Sequence, residues 1–350
     1  MAYKMLDLIE AKEIKKALAW LSKYWDRPIH PEYYNVRTVD EAISLLSEHG
    51  KEAKIVAGAV DLLGLMKNKV IAPRALINIK TIPNLGYIEQ GDTGLSIGAL
   101  TRINDIESSA LINSKYPMLF EAAHSIGSPQ IRNMASIAGN LCQDVRCWYY
   151  RRSPATGISY KCRRKSETGI CYAINGENQY HAVIDATECA AVCPSDLATV
   201  LLALDAKLCT VNTSGGRAIT MEEFYTRLCN VLEPAEIITA IKIPEVDPEL
   251  KQYFLKFRIR NAIDFAIVSV AALVKLDGEV IRDARIVLGG VAAGPYRALK
   301  AEKILKGQRR TEELVTTAAN LALCEAIPLS KNSYKVQVAE ALVKQALFKN

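Results

Sequence analysis

Six of the nine cysteines in this 350-residue chain fall between Cys142 and Cys193, in the spacing Cys-x4-Cys-x14-Cys-x8-Cys-x17-Cys-x3-Cys. The middle of that span, RCWYYRRSPATGISYKCRRKSETGIC from Arg146 to Cys171, carries seven Lys and Arg side chains and no acid before Glu167. A thiol set this dense belongs to a disulfide framework, a metal centre or a group of free cysteines. The N-terminal stretch MAYKMLDLIEAKEIKKALAWLSKYW mixes Asp, Glu and Lys among its apolar residues. It lacks the apolar core of a signal peptide, so a cytoplasmic location is expected, where thiols stay reduced and disulfides are rare. Structural zinc sites use close Cys-x2-Cys knuckles, and none occurs here. An iron–sulfur cluster fits better. Its thiolates are anionic, and nearby positive charge (Arg146, Arg151, Arg152, Lys161, Arg163, Arg164, Lys165) favours that anion, raises its reduction potential and depresses the thiol pKa values. Zinc and unligated thiols stay open as alternatives. Charge alone does not choose four ligands from six, and Cys193 precedes Pro194 as the last ligand does in ferredoxin-type runs. Cys209, Cys229 and Cys324 stand apart in apolar contexts and read as buried small hydrophobes.

The length exceeds what one small core organises, so two or three domains are expected. No apolar run reaches the roughly 18 residues of a membrane span. A net charge of +6, much of it in the cysteine stretch, argues against a nucleic-acid footprint.

Residues 1–31 read as an N-terminal helical extension. Leu8, Ala11, Ile14, Leu18, Leu21 and Trp25 recur at helical spacing, an apolar stripe suited to assembly or to packing on its own subunit. TVDEAISLLSEHGK follows as an amphipathic helix, with Thr38 as N-cap and Gly50 as C-cap. AKIVAG reads as a strand, DLLGLMKNK as a helix, RALINIKTIPNL as a strand and turn, and LSIGALTRINDIE as a strand with a helix starting at Thr101. The rhythm to this point is βαβ-like. HSIGSPQIRNMASIAGN reads as functional loops flanking a short helix. After the cysteines, regular patterning returns at HAVIDA and at the helix SDLATVLLALDA. From about residue 246 a further unit holds strands (YFLKFRIR, ARIVLGGVA), a helix or strand in FAIVSVAALV, and two C-terminal helices. There is no internal repeat.

AKIVAGAVDLLGLMKN places a tight loop of small residues (Ala57, Gly58, Ala59, Val60) between a strand and a helix start at Asp61. Small side chains let backbone N–H groups approach a pyrophosphate, and a helix N-terminus favours its charge. An ordinary strand–helix turn has the same pattern. SIAGN, from Ser136 to Asn140, is a second loop of this kind. GGVAAG near 289–294 is not a Rossmann fingerprint, because Pro295 follows and no βαβ unit surrounds it. Lys256, Arg258 and Arg260 alternate along YFLKFRIR and share one strand face, whether solvated or functional.

Together these segments resemble the FAD-binding subunit of the molybdenum hydroxylases, the xanthine dehydrogenase and carbon monoxide dehydrogenase group. AGAVDLL matches that family's Ala-Gly-Gly-Thr-Asp-Leu loop, and ASIAGN its Ala-Thr-Ile-Gly-Gly-Asn loop. IGALTRINDIE resembles its Thr-containing segment, KFRIRNAIDFAIVSVAA its Lys/Arg/Asp segment and GGVAAGPYRALKAE its closing motif. The resemblance covers about residues 32–345. Ala59, Val60 and Ala138 depart from it, placing a Cβ where backbone approaches phosphate and removing a hydroxyl. The basic cysteine segment resembles the insertion in the β subunit of 4-hydroxybenzoyl-CoA reductase, which carries one [4Fe–4S] cluster. That match implies Cys147, Cys162, Cys171 and Cys189 as ligands, with Asp196 also present in the pattern. Cys142 and Cys193 are then non-ligands, with Cys193 the rival for the fourth position.

The resemblance implies an α+β fold: an FAD-binding domain of two lobes over 32–245, with the iron–sulfur insertion at about 143–193, and a C-terminal α+β domain over 246–350. It implies that Ala57, Gly58, Ala59, Val60, Asp61, Leu62, Thr101, Ser136, Ile137, Gly139 and Asn140 surround FAD, with Lys256 and Asp264 near its isoalloxazine. A bulky residue at Gly58 would then expel flavin from a folded chain. The implied partners are a molybdopterin-binding large subunit, a small subunit with two [2Fe–2S] clusters, and ferredoxin or NAD(H) as carrier, with no membrane or nucleic acid. A self-contained flavin oxidoreductase is one rival; it needs its own acid or base, and His30, His49, His124 and His181 are scattered and read as structural. A non-catalytic zinc scaffold is the other.

Overall fold

The computed structural model describes residues 31–152 and 160–349. The helix and apolar stripe expected over residues 1–31 fall outside these residues, save for Pro31. Three sheets organise the rest. The first is parallel, in the order β1 (Glu32–Asn35), β3 (Ala75–Asn78), β2 (Ala53–Val56). Parallel strands need crossover connections, and the helices Val39–His49 and Leu62–Lys67 lie in them. Thr38 caps the first helix by accepting from Glu41 N at 3.1 Å, and Gly50 closes it at φ +54°. Its face of Ala42, Ile43 and Leu46 packs on Val36, Ala75 and Ile77.

The second sheet is antiparallel, in the order β4 (Ile88–Gly91), β5 (Gly94–Gly98), β8 (Ile237–Pro244), β6 (Lys207–Asn212), β7 (Gly215–Thr220). The helices Ile103–Ser108, Pro117–His124 and Asp196–Ala203 share a core with it. The third sheet runs β12 (Tyr296–Arg297), β11 (Val280–Gly289), β10 (Val268–Asp277), β9 (Leu250–Phe257), with β13 (Gln308–Arg309) against β11. Along β10, Val268, Val270, Ala272 and Val274 face a core shared with the helices Leu299–Leu305, Glu312–Ala322 and Tyr334–Phe348. Ala271 and Leu273 face the core of the second sheet. A strand covered on both faces reads as a continuous apolar run, which is why FAIVSVAALV left helix and strand unresolved; it is a strand.

The two C-terminal helices are present as Glu312–Ala322 and Tyr334–Phe348, and a further helix, Leu299–Leu305, lies between β12 and β13. Several expectations are corrected. The helix expected at Thr101 begins at Ile103 behind Arg102. HAVIDA forms no regular element; its Val183 and Ile184 N–H groups both bond to Val291 O. The strand in YFLKFRIR ends at Phe257, so Arg258 and Arg260 lie beyond it. Cys229 and Cys324 are exposed, in a bend and a turn outside any helix or strand, and Cys209 is half-buried between the buried Leu208 and Thr210 of β6.

Candidate cofactor sites

Cys147, Cys162, Cys171 and Cys189 line one cavity, together with Tyr150, Arg164 and Tyr172. Cys142 and Cys193 are absent from its lining. Cys193 is buried in the core of the second sheet, where its thiol is pushed up to about 11 by burial. Cys142 ends the helix Ile137–Leu141 on an exposed position. The segment around the cavity has its own small core, with Leu65, Val145, Tyr150 and Ala191 packed on Cys162 and Cys189. A Cβ at Gly169 would lie 2.5 Å from the backbone of Cys162, so only glycine lets the chain cross there.

The basic residues divide: Arg163 and Arg164 line the cavity beside the thiols, while others are paired away from it. Arg146 and Arg151 both bind the Asp61 carboxylate. Arg163 pairs with Glu188 at 3.3 Å, and Lys165 lies over the Tyr150 ring. Arg164 reaches a sulfur, donating from Nε to Cys189 Sγ at 3.3 Å while Nη1 meets Asp144 Oδ1 at 3.4 Å. Two further contacts reach the sulfurs. Ala190 N donates to Cys171 Sγ at 3.4 Å, and His181 Nε2 lies 3.3 Å from Cys147 Sγ. The Cys147 thiol is pushed up to about 11, chiefly by burial, against the expected depression. An incoming metal, not the arginines, would have to deprotonate it.

The donor set fits a four-thiolate cluster: four sulfurs around one space, three of them within reach of an N–H. Among the described residues no three His, Cys, Asp or Glu side chains are already gathered into a group able to hold a metal ion.

The residues expected around flavin fall into adjoining segments. An ideal Cβ on Gly58 would lie 2.0 Å from Met134 O, so the first loop is pressed on the chain just before Ser136. Ile137 N bonds to Thr101 O and Ala138 N to Ala99 O, which brings in the third segment. The clash at Gly58 corrects one expectation: Gly58→Val would displace this backbone junction as well as any ligand. Ala59 keeps a left-handed φ of +55°, the conformation glycine adopts freely, although it carries a Cβ.

The two loops differ as anion sites. Among the described residues, the N–H groups of Gly58, Ala59 and Val60 make no hydrogen bond within the chain. Those of the second loop are taken: Ile137 and Ala138 as above, Gly139 by Ser136 Oγ at 3.2 Å and Asn140 by Ser136 O at 2.9 Å. The first loop therefore fits a pyrophosphate and the second supplies surface. Some side chains are spent on the fold. Thr101 Oγ1 exchanges hydrogen bonds with the Tyr87 backbone, and Ile137 is fully buried. The Asp61 carboxyl, raised by burial but lowered further by Arg146, Arg151 and Asp144 N, lies below its usual range. Leu62 opens the following helix half-buried.

Lys256 is not on a solvated face. Its Nζ meets Asp196 Oδ2 at 2.6 Å and Ser125 O at 3.1 Å, and Arg258 Nη1 meets the same Ser125 O at 3.0 Å. Ser195, beside Asp196, donates to Asn140 Oδ1 at 2.6 Å, which links Lys256 to the second loop. Asp264 binds the exposed Arg260. Its neighbour Phe265 lies under the Arg146 guanidinium at 4.8 Å, beside Asp61.

Residues 27–246 match the FAD-binding domain of molybdopterin dehydrogenases, and 252–349 match the C-terminal domain of CO dehydrogenase flavoproteins. The chain is 33% identical to the FAD-binding subunit of an aldehyde oxidoreductase from Escherichia coli (strain K12), covering 90% of this chain and 96% of that one. It is 28% identical to the medium chain of glyceraldehyde dehydrogenase from Sulfolobus acidocaldarius, over 90% and 97%. The fold superposes with a TM-score of 0.73 on carbon monoxide dehydrogenase from Hydrogenophaga pseudoflava, at 26% identity over 91% and 96%. The chain belongs to the FAD-binding subunits of the molybdenum hydroxylase and carbon monoxide dehydrogenase family. It is accordingly an FAD-binding oxidoreductase subunit with the α+β fold expected.

Proposed function

We propose that this subunit carries one [4Fe–4S] cluster besides FAD, and that it passes electrons between an external carrier and the [2Fe–2S] and molybdopterin subunits of a cytoplasmic complex. The observation that carries this reading is the convergence of Cys147, Cys162, Cys171 and Cys189 on one cavity, with Cys142 and Cys193 elsewhere. The pattern of these four cysteines resembles that of the insertion in the 4-hydroxybenzoyl-CoA reductase β subunit, with a longer spacer before Cys189, which supports the ligand set. Flavin, when bound, exchanges electron pairs with single electrons, and a cluster is a one-electron relay. The protein's part is to hold these groups close and dry.

Asp61 serves both sites at once. It opens the helix after the small-residue loop and holds Arg146, Arg151 and Asp144 N of the cysteine segment. The Gly58–Val60 backbone would receive the pyrophosphate. Lys256 and Arg258 both donate to the Ser125 carbonyl, tying the end of the helix Pro117–His124 to the third sheet. Ferredoxin or NAD(H) is the proposed carrier class, with a molybdopterin-binding large subunit and a small [2Fe–2S] subunit as partners. No helix among the described residues is long and apolar enough to cross a membrane.

Chain purified without oxygen tests the reading by colour and content. Flavin absorbance with about four irons and four sulfides per chain is expected. Flavin with zinc, or with neither metal, would overturn the cluster and leave an FAD subunit of the family.

A further inference from the structure

The histidines offered no pattern in the sequence, yet the fold spends several interactions on one of them. His181 is 3% exposed, and its Nε2 lies 3.3 Å from Cys147 Sγ. It does not line the thiol cavity, so it approaches that sulfur from behind and is not itself placed as a ligand. The Trp148 ring stands edge-on to its imidazole at 5.0 Å between centroids. Its backbone is fixed from the C-terminal domain: Asn332 Nδ2 and Lys335 Nζ both donate to His181 O, at 3.2 and 2.9 Å. Lys335 is fully buried and also donates to Gly290 O at 2.5 Å. A buried ammonium held by backbone carbonyls is costly unless the geometry it fixes is needed.

The imidazole has one free choice, the position of its proton. Nδ1 is buried and has no hydrogen-bond partner among the described residues. A metal-bound thiolate has no proton to give, so only the Nε2–H tautomer makes a hydrogen bond to it. Hydrogen bonds to cluster sulfurs stabilise the more negative, reduced state and raise the reduction potential.

Resting on the cluster reading above, we propose that His181 is a positioning residue for the cluster: its Nε2–H donates to the Cys147 sulfur and raises the reduction potential. The C-terminal helix Tyr334–Phe348, through Lys335, holds the imidazole in that pose.

The test uses the full chain with His181→Phe, which keeps an aromatic ring in the nest but removes the donor, and His181→Gln, which keeps an N–H. Iron and sulfide content and an EPR-monitored redox titration are measured for each. His181→Phe should keep its iron and fall in potential by on the order of 59 mV, the one-electron equivalent of a tenfold shift in the reduced-to-oxidised ratio. His181→Gln should recover most of that fall. Loss of the cluster in His181→Phe alone, with His181→Gln at the native potential, would also support the hydrogen bond. An unchanged potential in His181→Phe overturns the proposal, as does an equal fall, or loss of the cluster, in both variants. A native chain without iron would instead refute the cluster reading itself.

Discussion

Lys256→Ala is the most informative single change in the frame around the flavin loops. Lys256 and Asp196 side chains are 5% and 4% exposed, with Nζ and Oδ2 2.6 Å apart. The pair joins β9 of the third sheet to the first turn of the helix Asp196–Ala203, which packs in the core of the second sheet. Removing the ammonium leaves a buried carboxylate with no cation, and breaking one side of a buried pair costs about 3–5 kcal/mol. It also removes the donor to Ser125 O, although Arg258 still serves that carbonyl. Urea unfolding of the full chain should therefore show a loss of at least about 3 kcal/mol. Lys256→Met with Asp196→Leu should cost less than Lys256→Ala alone, because no charge is left stranded. A loss below about 1 kcal/mol in Lys256→Ala, the range of solvated surface pairs, would refute the reasoning. It would mean that the pair is hydrated and the strand face solvated after all.

Three further outcomes follow from the geometry. Glu236 is held at about 2, chiefly by its hydrogen bonds from Arg217, with Thr210 adding to the shift. Its folded-state pKa is depressed, so its contribution is present above the unfolded value and lost as pH falls from about 4.5 towards 2. Glu236→Gln should flatten stability across that window in pH-dependent unfolding. Ala59→Gly should relieve the left-handed Cβ by about 1 kcal/mol and raise both Tm and flavin retention; a lower Tm would show that the Cβ packs favourably. Asp61→Asn leaves Arg146 and Arg151 without their shared carboxylate, and both flavin and iron content should fall together.

What could be read from the chain followed physical scale. Local signals were legible: Thr38 and Gly50 marked a helix with its caps, and Asp61 marked a helix start. The choice of Cys147, Cys162, Cys171 and Cys189 over Cys193 came from a resemblance, not from charge. Structure separates them because Cys193 N–H bonds to Ala292 O and the thiol turns into the main core. Long-range pairings were not legible. Nothing near Arg146 in the sequence announces Asp61, 85 residues away, so the basic stretch looked as if its charge were free for the thiols. Likewise the contact from Lys335, on the helix Tyr334–Phe348, to the His181 carbonyl spans 154 residues and leaves no local trace. The β10 run stayed ambiguous because burial on both faces erases the alternation that identifies a strand.

The central claim is the ligand set, and two serine substitutions test it most directly. Cys189→Ser and Cys193→Ser are compared in anaerobically purified chain by iron and sulfide content and by EPR of the reduced protein. Cys189→Ser should lose the cluster or leave it labile, and Cys193→Ser should keep native iron, sulfide and signal. A cluster that survives Cys189→Ser and disappears in Cys193→Ser would contradict the assignment.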